Sequence, residues 1–299
     1  MFAAVLQWLR VSKMNLFAVA AFALIPPYYF DCVVAIGRNV HVVEKGVQWE
    51  PTASGFLYGD PTGGRNDKGK PLYHVFLVTN RHVVQGLPEL VLRFNPKESK
   101  PAKEYSLPMS DGKGKATWFA PLDPQFDVAV VSVNIDFLRN DGIKAEFIPG
   151  DESSADVARA KDLGVSEGDG VFVLGFPLQL VGGERNFVIA RQGIIARIGD
   201  VLEGFGKTFL VDTFIFPGNS GGPVILRPEA ISITGTKPQS NALLIGVVTS
   251  FQTYQDVAVS QQTGRPRIMF EENAGLANVV PVDQIKAAIA EAVKAEKAK

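Results

Sequence analysis

Ser220 lies in Phe216-Pro217-Gly218-Asn219-Ser220-Gly221-Gly222-Pro223-Val224, a lone hydroxyl on tightly turned backbone. Such a stretch is either a turn and nothing more, or a nucleophile beside backbone N–H groups that could hold a developing oxyanion. Gly218-Asn219-Ser220-Gly221-Gly222 formally satisfies G-x-S-x-G. As a strand-to-helix nucleophile elbow that motif requires an acid and then a histidine after the serine. The three histidines, His41, His74 and His82, all precede Ser220, which excludes the elbow but allows a different order: His, Asp, Ser. The chemistry within reach is acyl transfer: a hydroxyl made nucleophilic by an imidazole that a carboxylate orients.

The candidate partners separate by context. His82 follows the apolar run Phe76-Leu77-Val78-Thr79, where a loop can present it to a cleft. His74 lies inside the strand that contains this run and begins at Tyr73, and His41 lies in a short polar-alternating segment. Most single histidines are not catalytic, so His82 stands out only through its company. Asp127 directly precedes the apolar strand Val128-Ala129-Val130-Val131, a position that favours partial burial. A strand-start turn is the simpler reading of Asp127, and Asp123 is a nearby rival. A half-buried carboxylate is nevertheless what a catalytic imidazole needs, since it accepts the ring N–H, fixes the tautomer and stabilises the imidazolium.

Other chemistries are disfavoured. One cysteine, Cys32, excludes an internal disulfide framework and a cysteine-rich metal site. The histidines lack helical His-x-x-x-His spacing, so no zinc site is expected, and no cofactor or other metal is implied. A net charge of −1 argues against a nucleic-acid binder that relies on a strong basic field. The 299 residues, 46% apolar and 20% charged, suffice for two domains or two halves of one unit.

The elements that would carry these residues are short apolar strands bounded by Gly, Pro, Asn or Asp. A first series runs from Cys32-Val33-Val34 to Asp127-Val128-Ala129, and a second from Gly170-Val171-Phe172 to Leu276-Ala277-Asn278. Helical periodicity is missing between strands, which predicts an all-β sandwich or barrel, not a parallel α/β sheet. The polar stretch 137–168 divides the series and can hold a short helix in Ser153-to-Gly164. Ile285, Ile289, Ala292 and Val293 recur at helical spacing and predict a C-terminal helix. Polar inserts at 60–70, 95–115 and 252–275 read as loops, the last long enough to be functional or mobile.

Residues 14–25 form an apolar run behind Arg10 and Lys13. The run resembles a signal-peptide core but is short for a transmembrane helix, and Ala21-Phe22-Ala23, the one small-x-small site, falls inside it. A retained apolar helix is therefore favoured over a cleaved signal, and a cytoplasmic or membrane-associated location over export. Membrane contact through residues 14–25 remains open.

Thr79-Asn80-Arg81-His82-Val83-Val84, Phe126-Asp127-Val128-Ala129-Val130-Val131 and Pro217-Gly218-Asn219-Ser220-Gly221-Gly222-Pro223-Val224 together resemble the chymotrypsin-like, trypsin-fold serine proteases. The resemblance is to the disulfide-free bacterial HtrA-type branch, and residues 168–177, 192–198, 212–224 and 244–250 share in it. It spans about Asp31 to Val282. Each motif alone is moderately specific, but three in order on a matching strand pattern are highly so.

The resemblance implies two antiparallel six-stranded β-barrels with the site in the crevice between them. The first barrel (31–136) would supply His82 as base and Asp127 as orienting carboxylate, and 137–164 would connect the barrels. The second (165–282) would supply Ser220 as nucleophile, with the Gly218 and Ser220 amides as oxyanion hole. An apolar segment (1–30) and a C-terminal helix (283–299) would flank them. It implies a protein or peptide substrate and allows a regulatory partner protein. The alternative is a non-catalytic peptide-binding module on a protease fold.

The sequence departs from the family at two places. Asn219 replaces the aspartate that pairs with a newly cut N-terminus in digestive members, so activation by N-terminal cleavage is not expected. The PDZ domain usual in HtrA-type proteins is not expected in the short stretch from Val282 to Lys299. The resemblance also places the primary pocket between Phe214, Ile215 and Phe216 and the strand Thr249, Ser250 and Phe251. Phe214 occupies the position at which trypsin carries the aspartate selecting Lys and Arg. A small or medium aliphatic residue before the scissile bond is the expected preference.

Overall fold

The computed structural model describes residues 24–44, 46–229, 238 and 240–297. The expectations for residues 1–23, including all of the apolar run but Leu24 and Ile25, lie outside the described residues. Among the described residues, no helix is long and apolar enough to cross a membrane.

The first half contains α1 (Tyr28–Cys32), β1 (Val33–Val42), β2 (Gly46–Arg65), β3 (Pro71–Thr79), α2 (Arg81–Val84), β4 (Glu89–Phe94), β5 (Lys103–Pro108), β6 (Trp118–Phe119), β7 (Ala129–Ser132), α3 (Ile135–Asn140) and β8 (Ile148–Pro149). The second holds α4 (Val157–Leu163), β9 (Gly170–Gly175), β10 (Ile189–Arg197), α5 (Gly199–Leu202), β11 (Phe209–Asp212), β12 (Pro223–Leu226), β13 (Leu243–Val259), β14 (Pro266–Pro281) and α6 (Val282–Lys297).

Strands β9 to β14 close into a six-stranded barrel in the order β10-β11-β14-β13-β12-β9. The first half differs from the expected closed six-stranded barrel. It is a curled eight-stranded sheet in the order β5-β4-β1-β2-β3-β7-β6, with β8 added parallel to β2. Its end strands do not pair, for a local reason. Strand β6 is two residues long, and β5 carries exposed Lys103 and Glu104 and ends at Pro108. Short, charged and proline-ended strands are poor partners for a ladder.

The unbroken apolar runs follow from burial on both faces. Along β2 and β3, Leu57, Val75 and Leu77 point into the first half's core, with Val34 and Ile36 of β1. Their neighbours Phe56, Tyr58, Phe76 and Val78 point the other way, into a cluster shared with Phe172, Leu174, Phe176 and Val247 of the second half. The period of two thus fills two cores at once. Helix α6 closes the shared cluster with Ile285, Ala288, Ile289 and Ala292, all on one helical stripe. The body begins before residue 31: Ile25 and Tyr29 are buried in the shared cluster, and the Tyr29 hydroxyl donates to Ala242 O at 2.7 Å.

The insert at 252–275 is no loop. Strands β13 and β14 run out of the barrel as one antiparallel hairpin, paired from Gly246↔Pro281 to Val259↔Pro266.

Candidate active site

His82 sits in α2, the single turn that follows the buried end of β3. Asn80 anchors this turn by donating from Nδ2 to Asp127 O at 2.7 Å. The His82 ring nitrogen Nδ1 lies 2.6 Å from Asp127 Oδ2, and the His82 backbone N–H donates to Asp127 Oδ1 at 3.0 Å. Each carboxylate oxygen is thus engaged by one residue. With Nδ1 donating to the carboxylate, Nε2 carries the free lone pair. Burial pushes the Asp127 carboxyl up, but hydrogen bonds from the His82 ring and amide outweigh burial and hold it below the ordinary aspartate value. Asp123, the rival carboxylate, faces elsewhere and pairs with Lys207 Nζ at 2.5 Å. His41 and His74 are exposed on β1 and β3, outside this pairing.

Ser220 is carried by the turn between β11 and β12. Gly218 has φ 100°, and a Cβ there would overlap Phe176 O. Gly221 has φ 82°, and a Cβ there would overlap Ser54 O and Thr79 Oγ1. Both positions therefore require glycine. The turn's amides Asn219 N, Gly221 N and Gly222 N donate to Phe216 O, Val248 O and Asn219 O. The amides of Gly218 and Ser220 donate to no acceptor among the described residues. Asn219 is fully buried, and its Oδ1 accepts the Phe216 amide at 3.0 Å, closing the turn on itself. The Ser220 hydroxyl reaches Thr249 O at 3.5 Å, and no hydrogen bond joins it to His82.

Ser54 of β2, which sequence reasoning missed, bridges the two halves. Its Oγ donates to Gly218 O at 2.7 Å and accepts the Phe176 amide at 2.9 Å, and its backbone N–H donates to Ser220 O at 2.9 Å. Thr79, three residues before His82, donates from Oγ1 to Ser54 O at 2.9 Å. The His82 and Ser220 segments are thereby tied to one buried residue.

The proposed pocket residues divide. Phe214 is half-exposed, and its ring lies beside Gly275. Ile215 is buried in the second barrel's core, so its side chain is turned away from solvent. Phe216 is partly buried under the Arg191 guanidinium, 5.4 Å from the ring centre. Thr249 is buried, Ser250 exposed and Phe251 packed partly against the barrel core. Among the described residues, no group of three or more His, Cys, Asp or Glu side chains is placed to hold a metal ion.

This two-part β architecture, with a serine turn in one half and a His–Asp pair in the other, defines a chymotrypsin-like serine protease fold. The sequence profile of the trypsin-like peptidase domain matches residues 53–229, more than half of the chain, and the chain belongs to that family. No significant match to a curated protein sequence was found. Among solved structures, human heparin binding protein is similar at 12% identity and a TM-score of 0.48, over 89% of this chain and 93% of that one. An inactive mutant form of Rv3671c from M. tuberculosis is similar at 14% identity and a TM-score of 0.41, over 90% of this chain and 89% of that one.

Proposed function

We propose that this protein is a serine endopeptidase acting through His82, Asp127 and Ser220. The observation that carries the reading is the 2.6 Å contact between His82 Nδ1 and Asp127 Oδ2, which leaves Nε2 free as a base. When substrate binds, Ser220 Oγ attacks the scissile carbonyl and His82 Nε2 takes the hydroxyl proton. The amides of Gly218 and Ser220 receive the oxyanion. His82 then protonates the leaving amine; in the second half water attacks the acyl-enzyme as His82 takes its proton, and His82 returns that proton to Ser220 Oγ as the acid leaves. Asp127 stays ionised throughout and offsets the charge on the imidazolium.

The same reading extends to specificity. Phe214, Phe216 and Phe251, with the Thr249–Ser250 backbone, would line a primary pocket without a carboxylate, suited to a small or medium aliphatic side chain. Protein or peptide chains are the substrates, and residues 31–136 and 165–282 are the two catalytic halves.

One observation favours a second reading, a peptide-binding module without catalysis: the Ser220 hydroxyl is directed to Thr249 O. Catalytic hydrogen bonds commonly tighten only when substrate is bound, so the contact with Thr249 O does not by itself remove Ser220 from catalysis. A fluorophosphonate label on wild-type protein and on Ser220→Ala separates the two readings, since only an activated serine reacts.

A further inference from the structure

The hairpin formed by the outer parts of β13 and β14 is exposed on both faces along residues 252–272. A two-stranded ribbon standing in water is marginal by itself. This one also exposes Tyr254, Val257, Val259, Ile268, Met269 and Phe270, the last three at 56%, 60% and 49%. Strand β14 pairs with β11 only over Leu276–Val279, so the outer part of β14 has one edge without a partner strand. A long exposed edge bearing apolar side chains is a template for strand addition.

The sequence of that edge indicates the partner. Arg267-Ile268-Met269-Phe270-Glu271 reads positive, three apolar, negative. Laid antiparallel on itself about Met269, it sets Glu271 against Arg267 of the second copy twice, Phe270 against Ile268 twice, and Met269 on the two-fold axis. Opposite charges and apolar pairs directly across a ladder are stabilising. Neither charge is satisfied by an ion pair within the chain, among the described residues; Glu271 accepts only from Gln255 Nε2, at 2.7 Å. The other edge does not offer this match. From Gln252 to Val259, β13 carries a single charged residue, Asp256, which would meet itself or an uncharged neighbour.

We infer that the β14 edge joins two copies of this chain, forming a four-stranded antiparallel ribbon across a two-fold axis at Met269. Isologous contact of one patch with itself is the ordinary way in which such a dimer closes. Contact along a single strand edge is small beside a standard interface of roughly 1,200–2,000 Å², so a weak dimer is expected, with a dissociation constant of about 1–100 μM. The inference stands independently of whether the site hydrolyses peptides.

The test is sedimentation of the full-length protein from about 1 μM to a few hundred micromolar. Wild type is expected to pass from monomer to dimer. Arg267→Glu and Glu271→Arg should each weaken the dimer by about tenfold or more, because each replaces two attractive pairs by two repulsive ones. An equimolar mixture of these two variants should recover dimer, since the heterodimer restores both pairs; that recovery also shows that both variants are folded. Met269→Cys should form an intermolecular disulfide under mild oxidation, whereas Val257→Cys should not; the native Cys32 is buried. A wild type that stays monomeric throughout would overturn the inference. So would a dimer indifferent to both charge reversals, or cross-linking through Val257→Cys instead of Met269→Cys.

Discussion

Ser54 holds the carbonyls of both Gly218 and Ser220, through its Oγ at 2.7 Å and its backbone N–H at 2.9 Å. The amides of the same two residues donate to no acceptor among the described residues. A residue of the first half thus sets the geometry of the serine turn in the second.

Ser54→Ala should therefore lower kcat, with KM little changed, because it disturbs groups that act on the transition state and not on ground-state binding. Removing Oγ also leaves Gly218 O and the Phe176 amide unsatisfied in a buried position, at a cost of about 1–3 kcal/mol in stability. Steady-state kinetics and a denaturant titration measure the two effects. Unchanged kcat in a folded Ser54→Ala protein would remove Ser54 from the positioning role.

Asp127→Asn should keep the fold but lower kcat by roughly 10³–10⁴-fold, because an amide no longer fixes the imidazole tautomer or offsets its charge. The pH dependence has a definite sign. The Asp127 carboxyl is held below its ordinary value in the folded state, first against burial and then by the His82 hydrogen bonds. Its contribution to stability is therefore complete above the unfolded-state value of about 4 and is lost as pH falls through the lower folded-state value. Acid unfolding of wild type and Asp127→Asn should converge below that range. A constant stability difference down to the lowest pH would contradict the assignment.

Intact protein should need no N-terminal cleavage to react. Asn219 carries no charge to pair with a new amine, and its Oδ1 is already engaged by the Phe216 amide. Activity-probe labelling should be equal for the full chain and for a chain trimmed to Leu24. Trimming further would remove Ile25 and Tyr29, which are part of the shared core. Labelling that appears only after trimming would contradict this.

A peptide-library profile should show cleavage after Val, Ala or Leu, with soft selectivity among them, since one methylene changes such preference by only about 1–3 kcal/mol. Burying an unpaired Lys or Arg side chain against Phe214 would be costly. Dominant cleavage after Lys or Arg would show that the pocket is lined elsewhere.

The pairing of His82 with Asp127 was legible because the family's signal is local: each residue sits in a short motif at a strand end, as does Ser220, the proposed nucleophile. Ser54 was not, because its partners Gly218 and Ser220 lie far along the chain and its own neighbours are unremarkable. The all-β class was legible from the apolar strands, and the closed second barrel followed from the family resemblance. The open first sheet was not, since closure depends on whether strands as short as β6 find partners. The outer hairpin has a loop-like sequence for a physical reason. Both of its faces are exposed, so its strands mix Tyr254, Val257 and Met269 with Asp256, Arg267 and Glu271 and lack the alternation that one buried face imposes.

The most direct test of the central claim is fluorophosphonate labelling of folded, full-length protein, read by intact mass and peptide mapping. One adduct per chain on Ser220 is expected, abolished by Ser220→Ala and strongly slowed by His82→Ala, with peptide cleavage lost in step. A folded wild type that takes no label even with peptide present, or peptide cleavage that survives in Ser220→Ala, would contradict it.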